Sequence, residues 1–145
     1  MRFTKVRFLS VSEVTALHEQ MLRIGGGADG LFRHQSLDSS VMGVQATFGG
    51  EPVLKSLADI AAGYAFYIAK DHPFIDGNKR TALMSAVAFL EENGFELTLM
   101  YRKDWQDLMV RVADGKLSRE QLAEFFAAAM GEWGHLTWGR SRRKK

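Results

Sequence analysis

Apolar positions cluster most densely in two segments of the chain, Leu57 to Ala69 and Thr81 to Leu90. The first carries one charged residue, Asp59, and the second carries none. Stretches this apolar over two to four helical turns read as helices buried on most sides. Between them lies a polar knot, His72-Pro73-Phe74-Ile75-Asp76-Gly77-Asn78-Lys79-Arg80-Thr81. Ionisable side chains wedged between two buried helices call for a chemical reason.

Weaker patterns flank this pair. Residues 3–9 alternate as a short strand, and Phe95 to Leu99 alternates as a second strand able to pair with them. A helix is predicted from Ser12 to about Ile24, ended by Gly25-Gly26-Gly27, with a loop over Ala28 to Arg33. A second helix is predicted over Ser36 to Thr47. Phe48-Gly49-Gly50-Glu51-Pro52 breaks it as a turn or small hairpin. Ser56 caps the first central helix, and Asp104 is placed to cap a helix from Trp105 to Ala113. Ser118 with Gln121 forms a capping box for a last helix to about Met130. Trp105, Met109, Phe125 and Phe126 are assigned to the core, and His18, His34 and His135 to structural roles.

Composition narrows the class. The 145 residues suffice for one domain, and 46% hydrophobic with 25% charged residues is ordinary for a water-soluble globule. Cysteine is absent, so disulfides and thiolate-bound zinc are excluded. No signal-peptide pattern opens the chain, and the longest uncharged stretches are about half of the roughly 20 residues that span a bilayer. These features predict a cytoplasmic protein without membrane contact. The formal charge of +2 misleads, because Arg140, Arg142, Arg143, Lys144 and Lys145 hold five of the nineteen basic residues. Residues 1–139 then have 14 basic against 17 acidic side chains, a net −3. The expectation is a single domain over 1–139 and a disordered basic tail over 140–145, with nucleic-acid binding by the fold disfavoured.

The knot itself suits phosphate chemistry. Pro73 disfavours the α region for His72, so the preceding helix should end near Lys70 or Asp71. Asp76, Gly77 and Asn78 can start the next helix, which runs through Glu92 to a Gly94 stop. Lys79 and Arg80 then fall in its first turn, at the positive end of the dipole, where a cation is unfavourable by roughly 0.3–1 kcal/mol. A bound phosphate is the simplest compensation. A neutral His72 can accept a proton from a hydroxyl, and the Asp76 carboxylate can hold Mg²⁺ together with phosphate oxygens. Asn78 can orient through its amide, and Arg80 can clamp phosphoryl oxygens. No Walker loop is present, since no glycine lies six residues before a Lys followed by Ser or Thr.

The string resembles the signature of the Fic/Doc superfamily, in which a His, a Phe, an acidic residue, an Asn and an Arg recur at this spacing. The resemblance runs from about Phe8 to Trp133. Lys79 stands where Fic adenylyltransferases have a second glycine, and Leu83 where they have a second arginine. Both departures point to the Doc ("death on curing") toxin branch, although Gly77 differs from the Ala often seen there. Thr15 and Glu19 approach the inhibitory motif of some Fic proteins, but Gln20 breaks the match. Restraint is therefore expected from outside the chain.

The resemblance implies a mainly α bundle of about six helices with a minor β-hairpin flap. It implies a toxin that transfers the γ-phosphoryl group of ATP, with Mg²⁺, to a Ser/Thr hydroxyl of a host protein. In the Doc branch that target is elongation factor Tu, and a small antitoxin covers the active-site groove. His72 is then the base, Asp76 the metal ligand, and Lys79 and Arg80 the phosphate cations. Gly77 and Asn78 form the anion nest, and Phe74 anchors the loop in the core. Phe48, Gly49, Gly50 and Glu51 form the flap that holds the target peptide by strand addition. The rivals are Fic-type AMP transfer and, from another class, a non-catalytic binding module.

Overall fold

A computed structural model describes residues 2–3, 5–30, 34–97, 102–131, 134 and 137–138. Six α-helices dominate them: α1 (Val11–Gly25), α2 (His34–Met42), α3 (Leu57–Asp71), α4 (Asn78–Glu92), α5 (Lys103–Ala113) and α6 (Arg119–Met130). A single turn of 3₁₀ helix, Gly43–Gln45, extends α2. Four two-residue strands complete the order: β1 (Arg2–Phe3), β2 (Thr47–Phe48), β3 (Glu51–Pro52) and β4 (Thr137–Trp138). The predicted six-helix bundle with a small hairpin is what forms.

The bundle is organised around α3. Ten of its fifteen residues are buried, and it packs most extensively against α4 and α6, with α2 and α5 on other sides. Small residues on α3, including Ala58, Ala61, Ala62, Gly63 and Ala65, let neighbouring backbones approach closely. A Cβ on Gly63 would collide with the Leu54 side chain, so any larger residue there would have to push that leucine aside. α4 buries ten residues in turn, among them Phe89 and Leu90 at zero exposure. The two apolar segments of the sequence are thus the inner helices of the molecule.

Helix starts follow local chemistry. α1, α3 and α6 each open with a complete capping box, Ser10/Glu13, Ser56/Asp59 and Ser118/Gln121. The first of these moves the start of α1 ahead of the predicted Ser12, because Ser10 reaches the Glu13 amide. Asp104 does not cap α5. It lies inside the first turn, where it pairs with Arg102. α2 ends at Met42 instead of Thr47, since residues from Gly43 tighten into 3₁₀ and then extend into β2.

The predicted strand over residues 3–9 is corrected. Only Arg2–Phe3 is strand, and it pairs in parallel with Thr137–Trp138 rather than with the segment after α4. Residues 5–10 and 95–97 carry no strand, and Thr98 and Leu99 lie outside the described residues. Side chains replace the missing ladder. Asn93 accepts from the Arg7 amide at 3.0 Å and donates to its carbonyl at 3.0 Å, and the buried Tyr64 hydroxyl accepts from the Leu9 amide at 2.8 Å. Phe125 is also corrected: it is 42% exposed and meets Trp105 edge-on, whereas Trp105, Met109 and Phe126 are buried as expected. His135 and the 140–145 tail fall outside the described residues.

Among the described residues no helix is long and apolar enough to cross a membrane.

Candidate active site

The polar knot forms the corner between α3 and α4. α3 ends at Asp71, whose carboxylate accepts a 2.7 Å bond from the Ser40 hydroxyl of α2. His72 follows in the left-handed conformation, φ 54° and ψ 55°, while its amide still caps Ile68 at 3.1 Å. It is the one non-glycine residue with positive φ among those described. Glycine is the usual occupant of that position, and a side chain there costs on the order of 1–3 kcal/mol that the surroundings must offset. Pro73 forbids continuation of the helix, and the bend leaves the imidazole exposed.

Phe74 then dives into the core at 2% exposure. It stacks on His18 of α1, with ring centroids 3.8 Å apart and planes 6° from parallel. His18 is itself 1% exposed, and its Nε2 lies 2.7 Å from the Asp76 carbonyl, so that nitrogen donates. Nothing in the residue pattern signals that this histidine supports the motif loop; it shows neither metal spacing nor a partner nearby in the chain.

Asn78 ties the corner together. It is 4% exposed and occupies the first turn of α4. Its Oδ1 accepts from the Phe74 amide at 2.9 Å, and its Nδ2 donates to the Phe74 carbonyl at 2.9 Å. The same Nδ2 lies 3.2 Å from His72 Nδ1. The side chain assigned to the anion nest is therefore committed to the loop, and what Asn78 offers to an anion is its main-chain N–H.

That N–H belongs to an open helix start. Gly77 is the N-cap of α4, with φ 79° and ψ 17°, and no side chain caps the helix. The first intrahelical bond runs from Thr81 to the Gly77 carbonyl, which leaves the amides of Asn78, Lys79 and Arg80 without helical partners. No acidic residue lies in this first turn. Instead the turn carries exposed Lys79 and half-buried Arg80.

Asp76 and Arg80 reach across to the loop after α1. The Asp76 carboxylate accepts from Ala28 at 3.2 Å and from Gly77 at 2.8 Å. The Ala28 bond foremost, then the Gly77 bond, hold its carboxyl below the usual carboxylate range; the Arg80 and His18 charges add to the effect. Arg80 donates to the Gly26 carbonyl at 3.0 Å, and its guanidinium lies directly over Gly25, where a Cβ would collide with it. Ile75 adds a main-chain bond to Gly30 at 3.1 Å. The glycine run read only as a helix stop is thus also the floor of the site. Its length was the available clue, since one glycine ends a helix.

Beside this corner α1, α4 and α5 enclose a cavity of about 430 Å³. Lys79 and Arg80 share its wall with Met21, Ile24, Leu83, Met109 and Val110. Leu83, noted for replacing an arginine, is therefore apolar lining, and Met109 is both core and lining. Cations beside an apolar chamber can take a ligand with a charged group and a flat or aliphatic body. Among the described residues no group of three or more His, Asp or Glu side chains could hold a metal unaided. A cation would therefore need ligand oxygens beside Asp76, whose ionised, exposed carboxylate retains lone pairs for that purpose. The donor set fits Mg²⁺ held jointly with phosphate.

The hairpin ahead of α3 pairs Thr47 with Pro52 and Phe48 with Glu51 around Gly49-Gly50, both at positive φ. Two such glycines suit the twist of a two-residue turn. Phe48 is 85% exposed. It is a separate element from the corner.

A family model described as the Fic/DOC family matches residues 8–90, more than half of the chain. The chain belongs to the Fic/DOC family. Its relatives include "Protein kinase doc" of Escherichia phage P1, 33% identical over 119 residues, covering 82% of this chain and 92% of that protein. "Toxin Doc" of Mycolicibacterium smegmatis is 39% identical over 98 residues, covering 64% of this chain and 75% of that protein. The matched span of the Fic/DOC model takes in the whole corner, the loop after α1 and the hairpin, and stops two residues before the end of α4.

Proposed function

We propose that this protein is a Doc-type toxin that transfers the γ-phosphoryl group of ATP to a Ser/Thr hydroxyl of a host protein in the cytoplasm. The observation that carries the reading is the start of α4: uncapped, doubly cationic, and adjoining both an exposed imidazole and an ionised carboxylate. Relatives named as a protein kinase and a toxin support the class. Elongation factor Tu is the target we favour from the resemblance to the Doc branch, with a small separate antitoxin as the restraint.

The chemistry assigns each residue one task. Free amides of the first turn, with Lys79 and Arg80, bind the phosphates and compensate their charge. Arg80 leaves the Gly26 carbonyl to do so. Mg²⁺, held by Asp76 and phosphate oxygens, would neutralise charge developing on the β- and γ-phosphates. His72 takes the proton as the target oxygen forms its bond to the γ-phosphorus. The bond from that phosphorus to the β–γ bridging oxygen breaks, and ADP leaves. The apolar chamber gives room for a nucleoside, and the Phe48–Glu51 hairpin offers an edge for an extended target segment.

Lys79 bears on which phosphate reacts. A glycine there would let the backbone approach the nucleotide closely, whereas a lysine fills the space and adds a point charge. In-line geometry allows one leaving group per pose, so the choice between γ-phosphoryl and AMP transfer is exclusive. The test gives a target-containing lysate ATP labelled at the α or the γ position. Wild-type protein should transfer the γ label alone, and His72→Ala should reduce transfer by about 10²–10⁴-fold. Transfer of the α label would replace this reading by AMP transfer, and absence of either would favour a binding module.

A further inference from the structure

We infer that Asn78 is a positioning residue that fixes the tautomer of His72, holding the proton of the neutral ring on Nε2 and leaving the lone pair at Nδ1. In the reading of His72 as the base, on which this second step rests, Nδ1 is then the nitrogen that receives the hydroxyl proton.

The argument turns on which way the Asn78 amide faces. An amide oxygen and nitrogen look alike in shape, and their assignment rests on their partners. Here both partners are main-chain groups of one residue, and neither can change character. The Phe74 amide can only donate, so the atom 2.9 Å from it is the Asn78 oxygen. The Phe74 carbonyl can only accept, so the atom 2.9 Å from it is the nitrogen. Reversing the amide would set two oxygens and two N–H groups against each other in a site that is 4% exposed.

The nitrogen so placed also faces His72 Nδ1 at 3.2 Å. One of its two hydrogens serves Phe74, and the other points to the ring. Nδ1 meets a donor that cannot turn away, so it must accept. A neutral imidazole carries one N–H, which leaves that proton on Nε2. The left-handed backbone of His72, held by the bond to Ile68 and by Pro73, sets the point from which the ring reaches Asn78.

The consequence concerns which atom does the work. A neutral ring with its proton on Nε2 has no lone pair there and can only donate from that side. The incoming hydroxyl must deliver its proton to Nδ1, giving an imidazolium with N–H at both positions as the new oxygen–phosphorus bond forms. The Asn78 contact at 3.2 Å is at the long limit for a nitrogen donor, so a small turn of the exposed ring, with the amide staying on Phe74, frees that lone pair for the hydroxyl.

The first test is the spectrum of the intact protein labelled with ¹⁵N-histidine, with the His72 signals assigned by their loss in His72→Ala. At a pH where the ring is neutral, Nδ1 should resonate as an unprotonated nitrogen and Nε2 as a protonated one. The reverse pattern would overturn the inference, and this spectrum needs no variant of Asn78. The second test is Asn78→Asp, which puts a carboxylate where the amide donor stood and should move the proton to Nδ1. With the tautomer reversed, γ-phosphoryl transfer should fall at least about 100-fold, within the range of base catalysis. Unchanged or faster transfer in a variant with the reversed spectrum would show that Nε2 is the reacting nitrogen and overturn the second step. Should the variant fail to fold, the wild-type spectrum still decides the tautomer. A wild-type protein with the expected spectrum and no γ-phosphoryl transfer would sink the proposed function alone.

Discussion

The two inner helices have the same length and nearly the same burial, yet they begin in opposite ways. α3 opens with Ser56 on the Asp59 amide at 3.0 Å, the Asp59 carboxylate returning the bond, and that acid complements the dipole. α4 opens on a glycine with no side-chain cap, free amides and two cations. Nothing about packing requires the difference, since both helices lie against each other in one core. A helix start completed by its own sequence has few amides left to offer, whereas one left uncapped beside cations keeps free N–H groups of the kind that bind anions.

Exchanging the features of the two starts tests that contrast. The largest expected effect is Arg80→Ala at the open start, which should weaken Mg²⁺–ATP binding by about 1.5–3 kcal/mol in calorimetry, the range of charge-assisted bonds. Undiminished affinity would mean that α4 merely lacks a cap. At the closed start, Ser56→Ala should lower stability to urea by about 0.5–2 kcal/mol and leave nucleotide affinity unchanged. A loss of affinity there would show that the two starts are not separable. Lys79→Gln should act in opposite directions at once, raising the urea midpoint by the equivalent of about 0.3–1 kcal/mol while reducing ATP affinity. Lower stability in that variant would show that the lysine is not misplaced.

The smallest effect is local and depends on pH. The Asp76 carboxyl is held below its ordinary range by bonds that exist only in the folded protein. The stabilisation they give is complete above the ordinary carboxylate range and is lost as pH falls through it toward the depressed native value. The amide resonances of Ala28 and Gly77 should therefore shift together in acid, and Asp76→Asn should abolish that shared titration. Independent titration of the two amides would separate the loop after α1 from the corner.

Much of this was legible in the chain because local rules were strong there. Apolar density marked α3 and α4, a capping serine marked the start of α3, a capping box marked α6, and two glycines before a proline marked the hairpin. The corner was legible through what broke the rules, two cations in a first helical turn. What escaped were contacts between residues far apart in sequence. His18 beneath Phe74, Asp76 on Ala28 and Arg80 on Gly26 span 48 to 56 residues. The N-terminal segment misled for the same reason, because alternation shows that a segment can be a strand without showing what edge it will meet. There, Asn93 and Tyr64 supplied the partners instead.

Gly25 and Arg80 constrain the order in which this sequence can change. Gly25 is the last residue of α1 and has no left-handed φ, so helix preference alone would favour alanine by about 1 kcal/mol. The guanidinium of Arg80 occupies the place where the methyl would go. Because that guanidinium is the end of a flexible side chain, an alanine would leave the fold intact and evict the arginine from its resting place. With Arg80 in place the substitution sets the loss of that resting contact against helix preference, and once Arg80 is gone only the gain in stability is left. The sign of one mutation thus depends on a residue 55 positions away, and a lineage that lost the arginine would have little reason to keep the glycine.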